Sequence, residues 1–220
     1  MANLSALQVL TAVLTLPALV SAQIRGSATF TGNEHIGGTC SLTDYDLPEA
    51  IFGTGIGPSN WASGGRCGSC LQVTGPLGTA KVMVVDSCRS CEENRLNLAK
   101  DAFVQIAEET DGIVDVEFDV VSCGITSPLI VRNKVGTSEW FFSMQVLNAN
   151  YPVIDLEVTV DGETWEPTER QDYNYFERED KSGFGEETVT VRVTCSNGNQ
   201  VVIPDVSQEP EAEIVAPVNC

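Results

Sequence analysis

The stretch Val84-Val85-Asp86-Ser87-Cys88-Arg89-Ser90-Cys91, followed by Leu96-Asn97-Leu98-Ala99 and Ala102-Phe103, decides how the first half of the chain is read. A β-branched apolar run ends in a carboxylate, and two closely spaced cysteines follow. The run reads as a strand. Asp86 at its end stands where a scaffold presents a polar group at the mouth of a cleft. The competing reading is a turn-capping aspartate, because Asp-Ser sequences close turns through their own backbone. Farther on, Leu96, Leu98, Ala102, Phe103, Ile106 and Ala107 recur at helical spacing, and Asp111-Gly112 stops the run. Leu71-Gln72-Val73, Ala80 to Val85 and Val114 to Val121 read as strands. Residues 23–125 are therefore expected to be β-structure with about one helix.

The second half reads differently. Ser143 to Leu147, Val153 to Val160, Thr188 to Cys195 and Gln200 to Ile203 are strand-like, and helical periodicity is absent. Asp161-Gly162 and Ser196-Asn197-Gly198 are hairpin turn signals. Such runs suggest a β-sandwich over residues 126–220. Leu129-Ile130-Val131 is strand-like, so the join near Pro128 is not a flexible linker. From Asp205 the acidic tail, with Pro210 and Pro217, would read as disordered but for Cys220, which ties back to Cys195 as the other cysteine of this half.

Leu4 to Val20 is an almost unbroken apolar run, and Val20-Ser21-Ala22 supplies small residues for cleavage. Residues 1–22 thus read as a signal peptide; the run is short for a membrane anchor. All eight cysteines follow it. In an exported chain an even count reads as four disulfides, and the zinc alternative offered by the two CxxC pairs recedes. The net charge is −19, from 12 basic and 31 acidic residues. That excludes a nucleic-acid partner and disfavours an anionic membrane or a polyanionic polymer, each of which calls for clustered Lys/Arg. A neutral polymer, recognised by hydrogen bonds and apolar faces, fits better.

In order, the motifs ATFTG (Ala28–Gly32), GGTC (Gly37–Cys40), CGSC (Cys67–Cys70), VVDSCRSC (Val84–Cys91), LNLAKDAF (Leu96–Phe103) and Val121-Ser122-Cys123 resemble the double-psi β-barrel domain of expansins and loosenins. Trp140-Phe141, Gln145-Val146-Leu147-Asn148, Tyr151-Pro152-Val153, Thr164-Trp165 and Asp172-Tyr173-Asn174-Tyr175-Phe176 are similar to the expansin carbohydrate-binding module. The resemblance implies an all-β fold: a six-stranded double-psi β-barrel with about one helix, then an immunoglobulin-like β-sandwich. It implies the pairs Cys40–Cys67, Cys70–Cys123 and Cys88–Cys91. It also implies a secreted protein, a monomer without metal or cofactor, whose partner is a cell-wall polysaccharide such as cellulose or a related neutral β-glucan.

By the same resemblance, Thr29 and Thr31 match cleft threonines that hydrogen-bond sugar hydroxyls. Asp86 matches the cleft aspartate on which wall loosening depends, and which is the general acid in hydrolytic relatives. The family's second aspartate is replaced by Asn97, an amide that can exchange hydrogen bonds but holds no charge and could cap the helix. Trp140, Phe141 and Tyr173 match three aromatics that form a flat platform for glucan rings, although core packing competes for them. On a straight strand Trp140 and Phe141 would face opposite ways, which favours Trp140 and Tyr173. Trp61 is a weaker cleft candidate. Inverting hydrolysis needs an acid and a base roughly 6.5–9.5 Å apart; Asp44 and Asp46 are the loop carboxylates that could serve. His35, the sole histidine, reads as a surface-loop residue. The leading expectation is therefore non-hydrolytic loosening. The alternatives are weak glycan cleavage with Asp86 as general acid, hydrolytic or of the lytic transglycosylase kind, and a non-catalytic wall-binding or elicitor protein.

Overall fold

The computed structural model describes residues 23–32 and 38–220; the expected signal peptide at 1–22 and His35 lie outside the described residues. The first half is a closed barrel of six strands: β1 (Ile24–Thr31), β2 (Phe52–Ile56), β3 (Cys70–Thr74), β4 (Thr79–Ser87), β5 (Arg95–Ala99) and β6 (Val114–Val121). Around the barrel the order is β1-β5-β2-β4-β3-β6. The β1–β5 and β2–β4 pairs are parallel and the other four are antiparallel. This is the double-psi arrangement.

One expectation is corrected here. Leu96 and Leu98 belong to strand β5, not to a helix. Both are fully buried, and Asn97 between them is only half-buried. That alternation is the two-residue period of a strand. The helix, α2, begins only at Lys100 and runs to Ile106. Asn97 therefore caps nothing, and the N-cap position is Ala99, which makes no side-chain cap. Helix α2 closes the barrel by burying Ala102, Phe103 and Ile106, and the Phe103 ring packs on Phe30 with centroids 4.7 Å apart. A one-turn helix, α1 (Pro58–Trp61), and a 3₁₀ turn at Glu109–Asp111 complete the helical content of the described residues.

The second half is a sandwich of two sheets. One joins β10 (Glu166–Pro167), β9 (Val153–Thr159), β13 (Thr188–Cys195) and β14 (Gln200–Ser207) in that order. The other joins β11 (Glu169–Arg170), β12 (Phe176–Glu177), β8 (Ser143–Leu147), β7 (Ile130–Asn133) and β15 (Glu213–Val215). Val189, Val191, Val193 and Cys195 of β13 are buried, and the residues between them are not. This places one face of that sheet on a core shared with Leu129, Val131, Phe142 and Met144. The acidic tail is ordered. Strand β14 runs on to Ser207, and β15 pairs with β7. The reason is burial: Val206 and Ala216 enter the core although charged residues surround them.

Disulfides join Cys40–Cys67, Cys70–Cys123, Cys88–Cys91 and Cys195–Cys220. The two halves meet through Leu147 and Ile130 of the sandwich, which pack on the barrel core, and through polar contacts. The Cys40 carbonyl accepts from Gln145 Nε2 at 2.9 Å and from Asn174 Nδ2 at 3.3 Å. Tyr45 Oη donates to Asn148 Oδ1 at 2.8 Å, and burial, partly offset by Arg132, pushes this phenol up to about 12. Asn150 accepts from the Ile125 amide at 2.7 Å and donates to its carbonyl at 2.8 Å. No helix among the described residues is long and apolar enough to cross a membrane.

Candidate functional site

Barrel register builds a polar row. Thr29 of β1 lies beside Asn97 of β5, Asn97 beside Gly55 of β2, and Gly55 beside Asp86 of β4. The last pairing depends on a register shift. Thr54 faces Val84, yet Gly55 faces Asp86, so one extra residue of β4 is taken up between them. Such a bulge re-aims the side chain that follows it. Val84 and Val85 stay in the core, and Asp86 turns to the surface. Thr39, Ser87, Cys88, Arg89 and Ser90 complete the rim of this open cleft.

Asp86 is held by one of its two oxygens. Its Oδ1 accepts from the Thr39 amide at 2.6 Å, from Thr39 Oγ1 at 2.7 Å and from the Ser87 amide at 2.8 Å. Oδ2 takes no hydrogen bond from the described residues and is available to a ligand. Gly38 keeps this arrangement open. It sits at φ 47°, and a Cβ there would lie 2.7 Å from Asp86 Cβ. Across the cleft, Thr29 Oγ1 donates to Asn97 Oδ1 at 3.2 Å. That orients the amide and leaves its Nδ2 as a donor. Thr31 falls two residues beyond Thr29, on the same face of β1, and is exposed. The structure thus brings Thr29, Asn97 and Asp86 into one row, with Thr31 at its end.

Asp86 is the one carboxylate lining this cleft among the described residues. Asp44 faces a different depression, with Arg132, Lys134 and Glu211, and Asp46 is exposed and outside the cleft lining. Trp61 is half-buried against the barrel core and does not line the cleft. The arrangement can accept hydrogen bonds at Asp86 Oδ2 and donate them from Asn97 and the hydroxyls. Among the described residues it holds no acid–base pair of the kind an inverting reaction uses.

The aromatic residues sit on the sandwich. Trp140 does not lie on a strand. It occupies the tip of a tight turn in which Ser138 and Phe141 exchange backbone hydrogen bonds of 2.9 and 3.1 Å. The turn explains the exposure pattern. Trp140 is 72% exposed, Phe141 is half-buried, and Phe142 fills the core edge-on to Phe184 at 5.1 Å. Tyr173 lies in the β11–β12 turn and is half-buried. Its hydroxyl donates to Glu177 Oε1 at 2.7 Å. Glu177, 2% exposed, also accepts from Ser143 Oγ at 2.8 Å and Lys181 Nζ at 3.0 Å. Lys134 Nζ stands 4.4 Å over the Tyr173 ring and 3.7 Å from Glu177 Oε1. One face of Tyr173 is therefore taken by an ammonium group, and only the other can meet a ligand. Burial, with the Glu177 carboxylate behind it, pushes the Tyr173 phenol up to about 12. Burial alone would raise Glu177, but the hydrogen bonds from Tyr173, Lys181 and Ser143 hold it below the usual carboxylate range.

Thr39, Glu177 and Lys134 are site residues that the sequence reading gave no role. Thr39 stood inside a quoted motif, GGTC, yet nothing in a linear string reports that it clasps a carboxylate 47 positions away. Glu177 and Lys134 carry no motif at all.

A double-psi barrel with a polar cleft, joined to a sandwich that exposes aromatic side chains, defines a class of two-domain β-proteins, and solved members of it match this chain across both domains. The crystal structure of apo expansin from Clavibacter michiganensis has a TM-score of 0.80 and 29% identity, covering 90% of this chain and 98% of that chain. A mutant of the same expansin in complex with cellohexaose matches with a TM-score of 0.81, at the same identity and coverage. In sequence, Expansin-YoaJ from Bacillus subtilis (strain 168) is 34% identical over 191 residues, which is 85% of this chain and 79% of the relative. No protein-family model matches. By its identity and coverage with these relatives, the chain belongs to the expansin family.

Proposed function

We propose that the chain is a secreted wall-loosening protein that binds cellulose or a related neutral β-glucan and separates its chains without hydrolysis. The observation that carries this reading is that one carboxylate lines the cleft among the described residues. Asp86 faces an amide, Asn97, where acid–base cleavage would need a second titrating group. Binding is supported by the similar expansin that was crystallised with cellohexaose. In this reading Trp140 and Tyr173, with Phe141 at the edge, stack on sugar rings through their C–H faces. Thr29, Thr31, Asn97 and the free Oδ2 of Asp86 hydrogen-bond a glucan segment in the cleft. These bonds replace those between neighbouring glucan chains, so no covalent bond changes. Four disulfides accord with an oxidising, extracellular setting.

The test uses the purified chain on amorphous cellulose and on cellulose paper under load. Paper should extend while the soluble fraction gains no reducing ends and no anhydro-sugars. Either product appearing in proportion to protein would replace this reading with glycan cleavage by Asp86. Binding without extension would replace it with a passive wall-binding role.

A further inference from the structure

Of the twelve lysines and arginines, eight sit within ion-pair distance of a carboxylate. Among the described residues the other four are Arg66, Lys81, Arg89 and Arg170. Lys81 is satisfied by the carbonyls of Ser122 and Cys123, at 3.3 and 3.2 Å. Arg89 belongs to the cleft already described. Arg66 and Arg170 remain, and both line one groove between the barrel and the sandwich. Tyr151, Pro152 and Ile154 supply its apolar wall, Ile154 being 62% exposed, and no carboxylate lines it.

The backbone brings together the segments that carry these cations. Gly64, at φ 80°, packs so tightly on the β11–β12 turn that a Cβ there would lie 3.0 Å from the Gln171 carbonyl. That close approach brings the segment carrying Arg66 against the turn that follows Arg170. The Cys40–Cys67 disulfide then pins the neighbour of Arg66. Arg170 donates to Asn174 Oδ1 at 2.5 Å and to the Val153 carbonyl at 2.6 Å, and its guanidinium lies 4.3 Å from the Phe176 ring centroid. All three partners are uncharged, and burial pulls this guanidinium down to about 10. Arg66 makes no side-chain hydrogen bond to the described residues. The Arg66 guanidinium is therefore the one with its paired donors unused, and Arg170 adds its charge to the same groove. In a chain with 31 acidic residues, the groove lacks a countercharge that the surface elsewhere has in excess.

We propose that this groove binds the carboxylate of a uronic acid unit carried on an otherwise neutral polysaccharide. Guanidinium groups suit a carboxylate through their paired donors, and the Tyr151–Pro152–Ile154 wall suits the apolar face of a sugar ring. The net charge of −19 sets the ligand's spacing. A polyuronate is repelled as a whole, but an isolated carboxylate feels mainly the cations within a Debye length of about 8 Å. The site therefore favours sparse acidic side groups over a continuous acidic chain. This inference rests on the polysaccharide-binding reading above and adds a second ligand class to it.

The experiment titrates the full chain by calorimetry with a xylo-oligosaccharide bearing one glucuronic acid side group, with the same oligosaccharide after reduction of its carboxyl, with cellohexaose, and with sodium sulfate. The acidic oligosaccharide should bind about tenfold more tightly than its reduced form at about 0.15 M salt, and the difference should shrink at about 0.5 M salt. Arg66→Glu should remove that difference and leave cellohexaose binding unchanged; Arg170→Gln should do the same if it folds. Equal affinity for the acidic and reduced forms, or an unaffected Arg66→Glu, would overturn the site. Sulfate binding as tightly as the acidic sugar would overturn its assignment to a saccharide. Loss of cellohexaose binding by the wild-type chain would instead break the proposed function, and the preference for the acidic form would still report on the groove by itself.

Discussion

The barrel cleft and the aromatic surface of the sandwich are built in opposite ways. In the cleft, the groups proposed to meet a glucan come from neighbouring strands, and their relative positions are fixed by register. On the sandwich, Trp140 and Tyr173 stand on turns, and their orientation is set by what lies behind them. The first is a row of polar groups with little apolar surface, and the second is apolar surface with its charges held beneath. Affinity is expected from the second, because stacking buries area. Geometry-dependent work is expected from the first, because strands keep hydrogen-bonding groups at fixed spacing.

If that division is right, Asp86→Asn abolishes extension of cellulose paper and leaves binding to insoluble cellulose within about twofold of wild type. The substitution preserves an acceptor at Oδ1 for Thr39, so it probes the free oxygen rather than the fold. Paper extension at the wild-type rate would erase the distinction. The converse change is Trp140→Ala with Tyr173→Ala. It should weaken binding to insoluble cellulose roughly tenfold or more, since aromatic contacts contribute about 0.5–1.5 kcal/mol each beyond burial; binding within twofold would move the affinity elsewhere.

The same contrast governs what could be read from the chain. Asp86 stood out at the end of an apolar strand-like run, whereas Thr29 and Asn97 were reached only through the resemblance of their motifs to the expansin barrel. Leu96-Asn97-Leu98 was misread as helix since three residues of strand period, placed before Ala102, Phe103 and Ile106, also satisfy helical spacing. The bulge that turns Asp86 outward has no sequence signal, because it is a property of pairing with β2. On the sandwich, exposed Trp140 was legible by likeness to a family, but the turn that exposes it was not. Glu177, the group that orients Tyr173, looks in sequence like any of the acidic residues around it. Order in the tail was legible only through Cys220, because its two buried apolar positions are diluted by charges that face solvent.

Two smaller effects would sharpen the picture of how Tyr173 is held. Glu177→Gln removes the charge that Lys134 and Lys181 share, so thermal unfolding should show a loss of about 2 kcal/mol, with weaker cellulose binding. Unchanged stability would mean that the network is incidental. The pH dependence follows from the same residue. Its folded-state pKa lies below the ordinary glutamate value of 4.5. The stabilisation is therefore complete above 4.5 and is lost as pH falls through the lower folded value. The melting temperature of wild type should drop more steeply than that of Glu177→Gln between pH 5 and pH 3; parallel curves would refute this.

The short segment Thr39-Cys40-Ser41 has a mechanical meaning. Thr39 clasps Asp86, Cys40 is bolted to Cys67, and the Cys40 and Ser41 carbonyls are gripped by Gln145 of the sandwich. Under the proposed function, a polymer held on the sandwich would pull on the cleft carboxylate through only three residues, with a covalent anchor midway.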